Sequence, residues 1–274
     1  MRDREHELRP QDLVLTILGA HVREHQRVWS GGMVDVLRLF GFTTGAARAA
    51  LARLVRRGLL ARDRDGRRAF YSLTRRAEAL MEQGDLRIFQ FGRGCRAAES
   101  WTVLWHALPE SERVARSRMV AQLRFLGFGS VQDATWVAAR DCSKQLLALL
   151  AELNVEPFTS FIVGQMMPSS PPLTLVGEAW NLPEARQRYE HFLADYRQLG
   201  SASSRLRLTA EEAFCTRTVL LHRFRGFPLI DPELPAAVDE LGGLRSAAVA
   251  CFDELYAALE RPATEFFWQT AGEC

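Results

Sequence analysis

Residues 43–73 read TTGAARAALARLVRRGLLARDRDGRRAFYSL. From about Thr44 to Arg57, apolar residues recur at helical spacing, so that Ala47, Ala50, Leu51, Leu54 and Val55 share one face. Thr43 precedes them as the expected N-cap, its hydroxyl accepting a bond from a backbone N–H that the first turn leaves unpaired. Gly58 follows them, where a helix end favours the left-handed conformation. The opposite face presents Gly45, Ala49, Ala52, Arg53 and Arg56, with Arg48 on the flank and Thr44 at the start. No Asp or Glu occurs between Thr43 and Arg62. An ordinary surface helix mixes acids with bases to form pairs at four-residue spacing. Small residues set between arginines instead let a helix lie deep in a major groove, with guanidinium groups reaching bases or phosphates.

Two strands are expected next, Leu59 to Arg62 and Arg68 to Leu73. Between them lies Asp65-Gly66, a strong short-range hairpin signal, with Arg64, Arg67 and Arg68 at the tip. Upstream, Pro10 suits a first helical turn, and Gln11 to Arg23 carries Leu13, Ile17 and Ala20 on one face. A second helix over roughly Gly31 to Phe40 places Val34, Leu37 and Leu39 inward and stops at Gly41. Three helices and an arginine-tipped hairpin are the order of a winged helix-turn-helix, whose wing touches phosphate or the minor groove. A further helix runs from Thr74 to about Phe91. The same elements also serve as protein–protein modules without DNA contact. The acid-free helix together with the basic hairpin favours DNA, with Thr44, Gly45, Arg48, Ala49, Ala52, Arg53, Arg56, Arg64, Arg67 and Arg68 as contact candidates.

Composition fits that division of labour. The 274 residues are 47% hydrophobic and 25% charged, the balance of a globular protein with a real core. The formal net charge is only +2, but residues 1–94 hold eighteen Arg against eleven Asp or Glu. From Arg48 to Arg76 ten Arg face only Asp63 and Asp65. A basic segment joined to an acidic remainder is what a nucleic-acid-binding module on a non-binding body should show. The five cysteines form no C-x-x-C pair, which argues against a disulfide framework or a structural zinc site. No apolar run approaches the roughly 20 residues that span a bilayer, and the charged opening MRDREHELRP is no secretory signal. The cytoplasm is the expected compartment.

In the body, Trp101 to Trp105 is strand-like and Ser111 to Leu126 helical. A strand pair lies near Gly129–Ala138, Asp141 caps a helix to Leu153, and Phe158 to Met166 is again strand-like. This βαββαβ order gives a split βαβ domain. Met167 to Pro172 reads as a linker. Helices are then expected over Pro183–Leu199, Thr209–Phe224 and Leu234–Leu259, with Thr209 and Glu212 as a capping box and Phe227 to Pro232 as a rigid turn.

Enzyme signatures are missing: there is no Walker loop, G-x-G-x-x-G or G-x-S-x-G. His21 and His25 lie four apart on a helix and are spaced to share a metal, but no third ligand is evident, and a solvated helix end is the better reading. The first strand of the βαββαβ segment ends in His106-Ala107-Leu108 without the acid that a metal-dependent nuclease needs there. Trp101, Trp105, Trp136 and Trp180 read as core. Arg223 and Arg225 are a helix end that could face phosphates.

The chain resembles the PaaX family of bacterial repressors, named for control of phenylacetic acid breakdown. The resemblance rests on Val28-Trp29-Ser30-Gly31, Leu39-Phe40-Gly41, Ala47 to Leu54, Gly58-Leu59-Leu60 and Gly66 to Thr74, then on Leu126 to Gly129 and Asp231 to Pro235. It runs through nearly the whole chain; Gly45 stands where the family usually has a larger polar or charged residue. It implies an α+β multidomain protein: a winged helix-turn-helix over 1–92, a central ferredoxin-like, Cas2-like domain over 93–172 and a helical domain over 173–274. It also implies a homodimer, an inverted-repeat DNA operator and an aryl-CoA effector, typically phenylacetyl-CoA, without cofactor or metal. A metal-dependent nuclease using the central module, or a scaffold that binds no DNA, are the competing readings.

Overall fold

The computed structural model describes residues 8–22, 26–93, 100–165, 172–205, 207–236 and 238–272. In chain order the elements are α1 (Pro10–His21), β1 (Val28–Trp29), α2 (Ser30–Leu39), α3 (Thr44–Arg56), β2 (Leu60–Asp65), β3 (Arg68–Leu73) and α4 (Arg75–Gln90). Then come β4 (Trp101–His106), α5 (Arg113–Phe125), β5 (Gly129–Gln132), β6 (Thr135–Ala138), α6 (Ser143–Leu153) and β7 (Thr159–Gly164). The C-terminal helices are α7 (Pro172–Ala179), α8 (Leu182–Tyr196), α9 (Ala202–Arg205), α10 (Ala210–Phe224), α11 (Gly242–Ala258) and α12 (Glu260–Ala271). The described residues form two compact units. One draws on Met1–Phe89, Tyr196–Phe224 and Ala250–Cys274, the other on Gln90–Asp195 and Arg225–Val249. Residues 173–274 are therefore shared between the two.

In the first unit, α1 opens with Pro10 in its first turn, where a missing N–H costs nothing. Leu13, Ile17, Val34, Leu37, Ala47, Leu51 and Leu54 meet in one core. That core also takes in Phe214 of α10 and Ala263, Phe267 and Ala271 of α12, so helices from the far end of the chain complete it. Helix α12 crosses α2 at Gly32, where an added Cβ would lie 2.1 Å from the Thr270 carbonyl oxygen. No side chain fits there. Leu39, expected inward, is instead 36% exposed at the end of α2. His21 is not at a solvated helix end. It is buried, stacked on Phe267 and tilted against Phe214, with Nδ1 3.3 Å from Thr264 Oγ1. His25 lies outside the described residues.

In the second unit the βαββαβ order closes a four-stranded antiparallel sheet, β5-β6-β4-β7. Leu104, Met119, Leu123, Trp136, Leu146 and Leu150 form the core between that sheet and helices α5 and α6. Trp101, Trp136 and Trp180 are buried as expected, but Trp105 is 44% exposed. Along β4, Trp101, Val103 and Trp105 share one face and Thr102, Leu104 and His106 the other, so Trp105 lies on the face opposite Leu104. Helix α6 starts one residue later than an Asp141 cap would set it. Cys142 holds the cap position, while Asp141 Oδ1 accepts from the Ser143 N–H at 2.8 Å. The expected linker falls mostly outside the described residues, and Pro172 already begins α7.

The helix expected over Leu234–Leu259 begins only at Gly242. The preceding Asp231-Pro232-Glu233-Leu234-Pro235 is held open by a buried ionic knot. Arg245 Nε and Nη2 donate to Asp231 Oδ2 and Oδ1 at 2.7 and 2.8 Å, and its Nη1 donates to Asp239 Oδ2 at 2.6 Å. Tyr189 donates to Asp231 at 2.6 Å, and Asp231 also accepts the Glu233 N–H at 2.7 Å. Glu233 in turn accepts the Gly92 N–H at 3.0 Å. Burial works against the Arg245 charge, but its hydrogen bonds to Asp239 and Asp231 outweigh that and hold its pKa above the ordinary value. The Tyr189 hydroxyl is pushed well up, first by burial and then by the Asp231 carboxylate, so it remains a donor.

Candidate nucleic-acid interface

Helix α3 is built by local signals at both ends. Thr43 Oγ1 accepts from the Ala46 N–H at 3.2 Å, satisfying a donor of the first turn. Gly58, with φ +67°, turns the chain out of the helix in a conformation that other residues adopt at a cost. Ala47, Ala50, Leu51 and Leu54 are buried, and Val55 is half-buried. Thr44, Gly45, Arg48, Ala49, Ala52, Arg53 and Arg56 are all exposed, so the candidate contact face of this helix is open along its length. Among the described residues, Arg48, Arg53, Arg56 and Arg57 are in no ion pair.

The hairpin follows directly. Strands β2 and β3 pair from Leu60↔Leu73 to Asp65↔Arg68, so the two-residue turn is Gly66-Arg67 rather than Asp65-Gly66. Gly66 has φ +58°, and only the first turn position needs that conformation, as in a type II′ hairpin. Strand β1 adds a third strand beside β3, with Val28 opposite Tyr71 and Trp29 opposite Phe70. Thr74 locks the exit: its hydroxyl donates to the Gly58 carbonyl at 2.8 Å and accepts from the Ala77 N–H at 3.2 Å. One side chain thus ties the end of α3 to the start of α4.

Side chains alternate across the hairpin. One face carries Leu60 and Tyr71 into the core under α3 and, further out, presents Arg62 and Arg64 to solvent. The other face carries Asp63, Asp65, Phe70 and Arg68. Arg27 lies over the Phe70 ring, 4.6 Å from its centroid, and pairs with Asp65 at 3.2 Å and Asp63 at 3.6 Å. Arg68 sits opposite Asp65, 5.7 Å from the Trp29 ring. Of the arginines expected at the tip, Arg64 and Arg67 are exposed and without an ion pair among the described residues, whereas Arg68 belongs to the acid-bearing face. Arg62 was missed. Strand alternation alone pairs it with Arg64, and that signal was already present in the sequence.

Elsewhere, Arg223 lies 5.7 Å from the Tyr196 ring. His106 ends β4, and its pKa is lowered by partial burial and by Arg116. Among the described residues, no group of three His, Cys, Asp or Glu side chains is placed to hold a metal, and no helix is long and apolar enough to cross a membrane.

Comparison with known proteins places this architecture. Residues 9–77 match the family described as PaaX-like protein, 96–176 the PaaX protein central Cas2-like domain, and 180–269 the PaaX-like protein C-terminal domain. The chain belongs to the PaaX family. It is 30% identical over 222 residues to the transcriptional repressor PaaX of Escherichia coli, covering 76% of this chain and 66% of that protein. It therefore spans just under two thirds of that relative's length. A solved structure of the uncharacterized protein Rv0674 from Mycobacterium tuberculosis has a similar fold. Its TM-score is 0.55 at 19% identity, over 92% of this chain and 96% of that one.

Proposed function

We propose that the protein is a DNA-binding transcriptional repressor of aromatic, phenylacetate-type catabolic genes, released from its operator by an aryl-CoA thioester such as phenylacetyl-CoA. The observation that carries the DNA-binding part is α3: a capped, acid-free helix whose exposed face holds only small residues and arginines. In this reading α1, α2, α3 and the hairpin are a winged helix-turn-helix within residues 1–92. The βαββαβ sheet of residues 93–172 is a ferredoxin-like module, and the helices of 173–274 support both. Thr44, Gly45, Ala49, Ala52 and Arg53 face base edges, while Arg48, Arg56, Arg64 and Arg67 face phosphate. Two copies of the chain set their α3 helices into successive major grooves of an inverted repeat. The name of the Escherichia coli relative supports repression. The dimer and the effector follow from the family resemblance.

Effector release requires that the thioester bind the DNA-free form more tightly than the bound form, since a ligand shifts an equilibrium only by its differential affinity. A gel shift with the full chain and its own upstream DNA tests the reading. A sequence-selective, salt-sensitive shift is expected, removed by phenylacetyl-CoA and not by free phenylacetate. A chain that shifts no DNA selectively refutes it.

A further inference from the structure

We infer that the hairpin meets DNA through one face only. Arg62 and Arg64 are the phosphate-contacting side chains of its strands, and Arg27 is the positioning residue that holds Asp63 and Asp65 away from the duplex. This rests on the DNA-binding reading and deepens it.

The register separates the side chains. Arg62 lies opposite Tyr71 and Arg64 opposite Ala69, on the face that continues the core beneath α3. Asp63 lies opposite Phe70 and Asp65 opposite Arg68, on the reverse face. The first face therefore carries two arginines and no acid. On the reverse face, Arg27 and Arg68 balance Asp63 and Asp65. Arg27 is held there twice over, by ion pairs of 3.2 and 3.6 Å and by the Phe70 ring beneath it. The basic residues around the hairpin are thus of two kinds. Arg27 pairs with both carboxylates and Arg68 stands across from Asp65 on that same charge-balanced face, while Arg62 and Arg64 share a face with no acid, have no ion pair among the described residues and are available to a polyanion.

A phosphate contact has a signature that a structural role lacks. Removing it lowers the dependence of log K on log salt by about one, because one fewer counterion is released. The test uses the full chain and a duplex that it selects from a random-sequence pool, titrated at several salt concentrations. Arg62→Ala is expected to bind about tenfold more weakly near physiological salt, with the salt slope reduced by about one. Arg62→Lys should retain the slope. Arg68→Ala should change affinity by less than about threefold and leave the slope alone. Arg27→Ala should weaken binding through the two freed carboxylates, and adding Asp63→Asn with Asp65→Asn should restore it. Equal slope losses in Arg62→Ala and Arg68→Ala would overturn the sidedness. Failure of the triple variant to recover would overturn the role of Arg27. A wild-type chain that retains no duplex from the pool defeats the DNA-binding reading itself, an outcome distinct from either.

Discussion

Arg245 and Arg53 are the same residue type put to opposite uses. Arg245 is buried, and its guanidinium is shared between Asp231 and Asp239 at 2.6–3.0 Å. Arg53 stands on the open face of α3 with no carboxylate on its own helix. The acids, more than the arginines, tell the two apart. Counting basic residues finds charge; only the position of the nearest acid says whether that charge is already spent inside the fold. Arg27 illustrates the point within the head itself, where it counts toward a basic segment yet is held by Asp63 and Asp65.

The largest expected effect comes from breaking the buried side of this comparison. Asp231→Ala leaves the Arg245 charge in a dry site with only Asp239, and it strips the acceptor from Tyr189 and from the Glu233 N–H. Removing one partner of a buried pair costs about 3–5 kcal/mol. Urea unfolding followed by circular dichroism should show that loss. Adding Arg245→Met should recover part of it, because the uncompensated charge goes too. A double variant no more stable than the single one would mean that Asp231 acts mainly through Tyr189 and the Glu233 turn.

Arg53→Ala probes the open side. The side chain is exposed, so stability should stay within about 0.5 kcal/mol of the parent. A guanidinium that reads a base is instead worth about 1–3 kcal/mol of discrimination, so operator affinity should fall roughly ten- to a hundredfold. Fluorescence anisotropy on operator and on scrambled duplex measures both. Equal losses on the two DNAs would assign Arg53 to phosphate rather than to a base. Salt sharpens the contrast further: raising it should weaken DNA binding steeply and barely move the unfolding of the Arg245 knot, since buried pairs are little screened.

Legibility in the sequence divided along the same line. Helices α1 and α3, the hairpin and the Thr209–Glu212 capping box were readable because each is specified by near neighbours. The Glu212 carboxylate does accept from the Thr209 N–H at 2.8 Å, and Thr209 Oγ1 from the Glu212 N–H at 3.2 Å. What escaped depends on partners far along the chain. Nothing near Gly32 announces that Thr270 will lie against it. Residues 234–241 read as helical in sequence, but Asp231 and Asp239 turn onto Arg245 and the helix begins only at Gly242. Trp105 was misplaced by type: alternation groups it with Trp101 and Val103 on the more apolar face of β4, but the core forms on the Leu104 face. The exposed face of α3 was legible residue by residue. The sidedness of the hairpin needed the register.

The smallest effect is expected at Thr43, and it asks what holds the open face in place without ion pairs. Helix α3 has no acid in its first turn, so its exposed N–H groups are left to the Thr43 hydroxyl, which reaches Ala46. Thr43→Ala should cost about 1 kcal/mol of stability, and Thr43→Ser little of that. The functional loss should exceed the stability loss, because the turn that frays contains Thr44 and Gly45 at the start of the contact face. Hydrogen exchange at Ala46 and the operator affinity should therefore move together in Thr43→Ala and both return in Thr43→Ser. Faster exchange at Ala46 with unchanged affinity would show that the contact face begins further along the helix, at Arg48. The open arginines would then be positioned by the buried alanines and leucines of α3 alone.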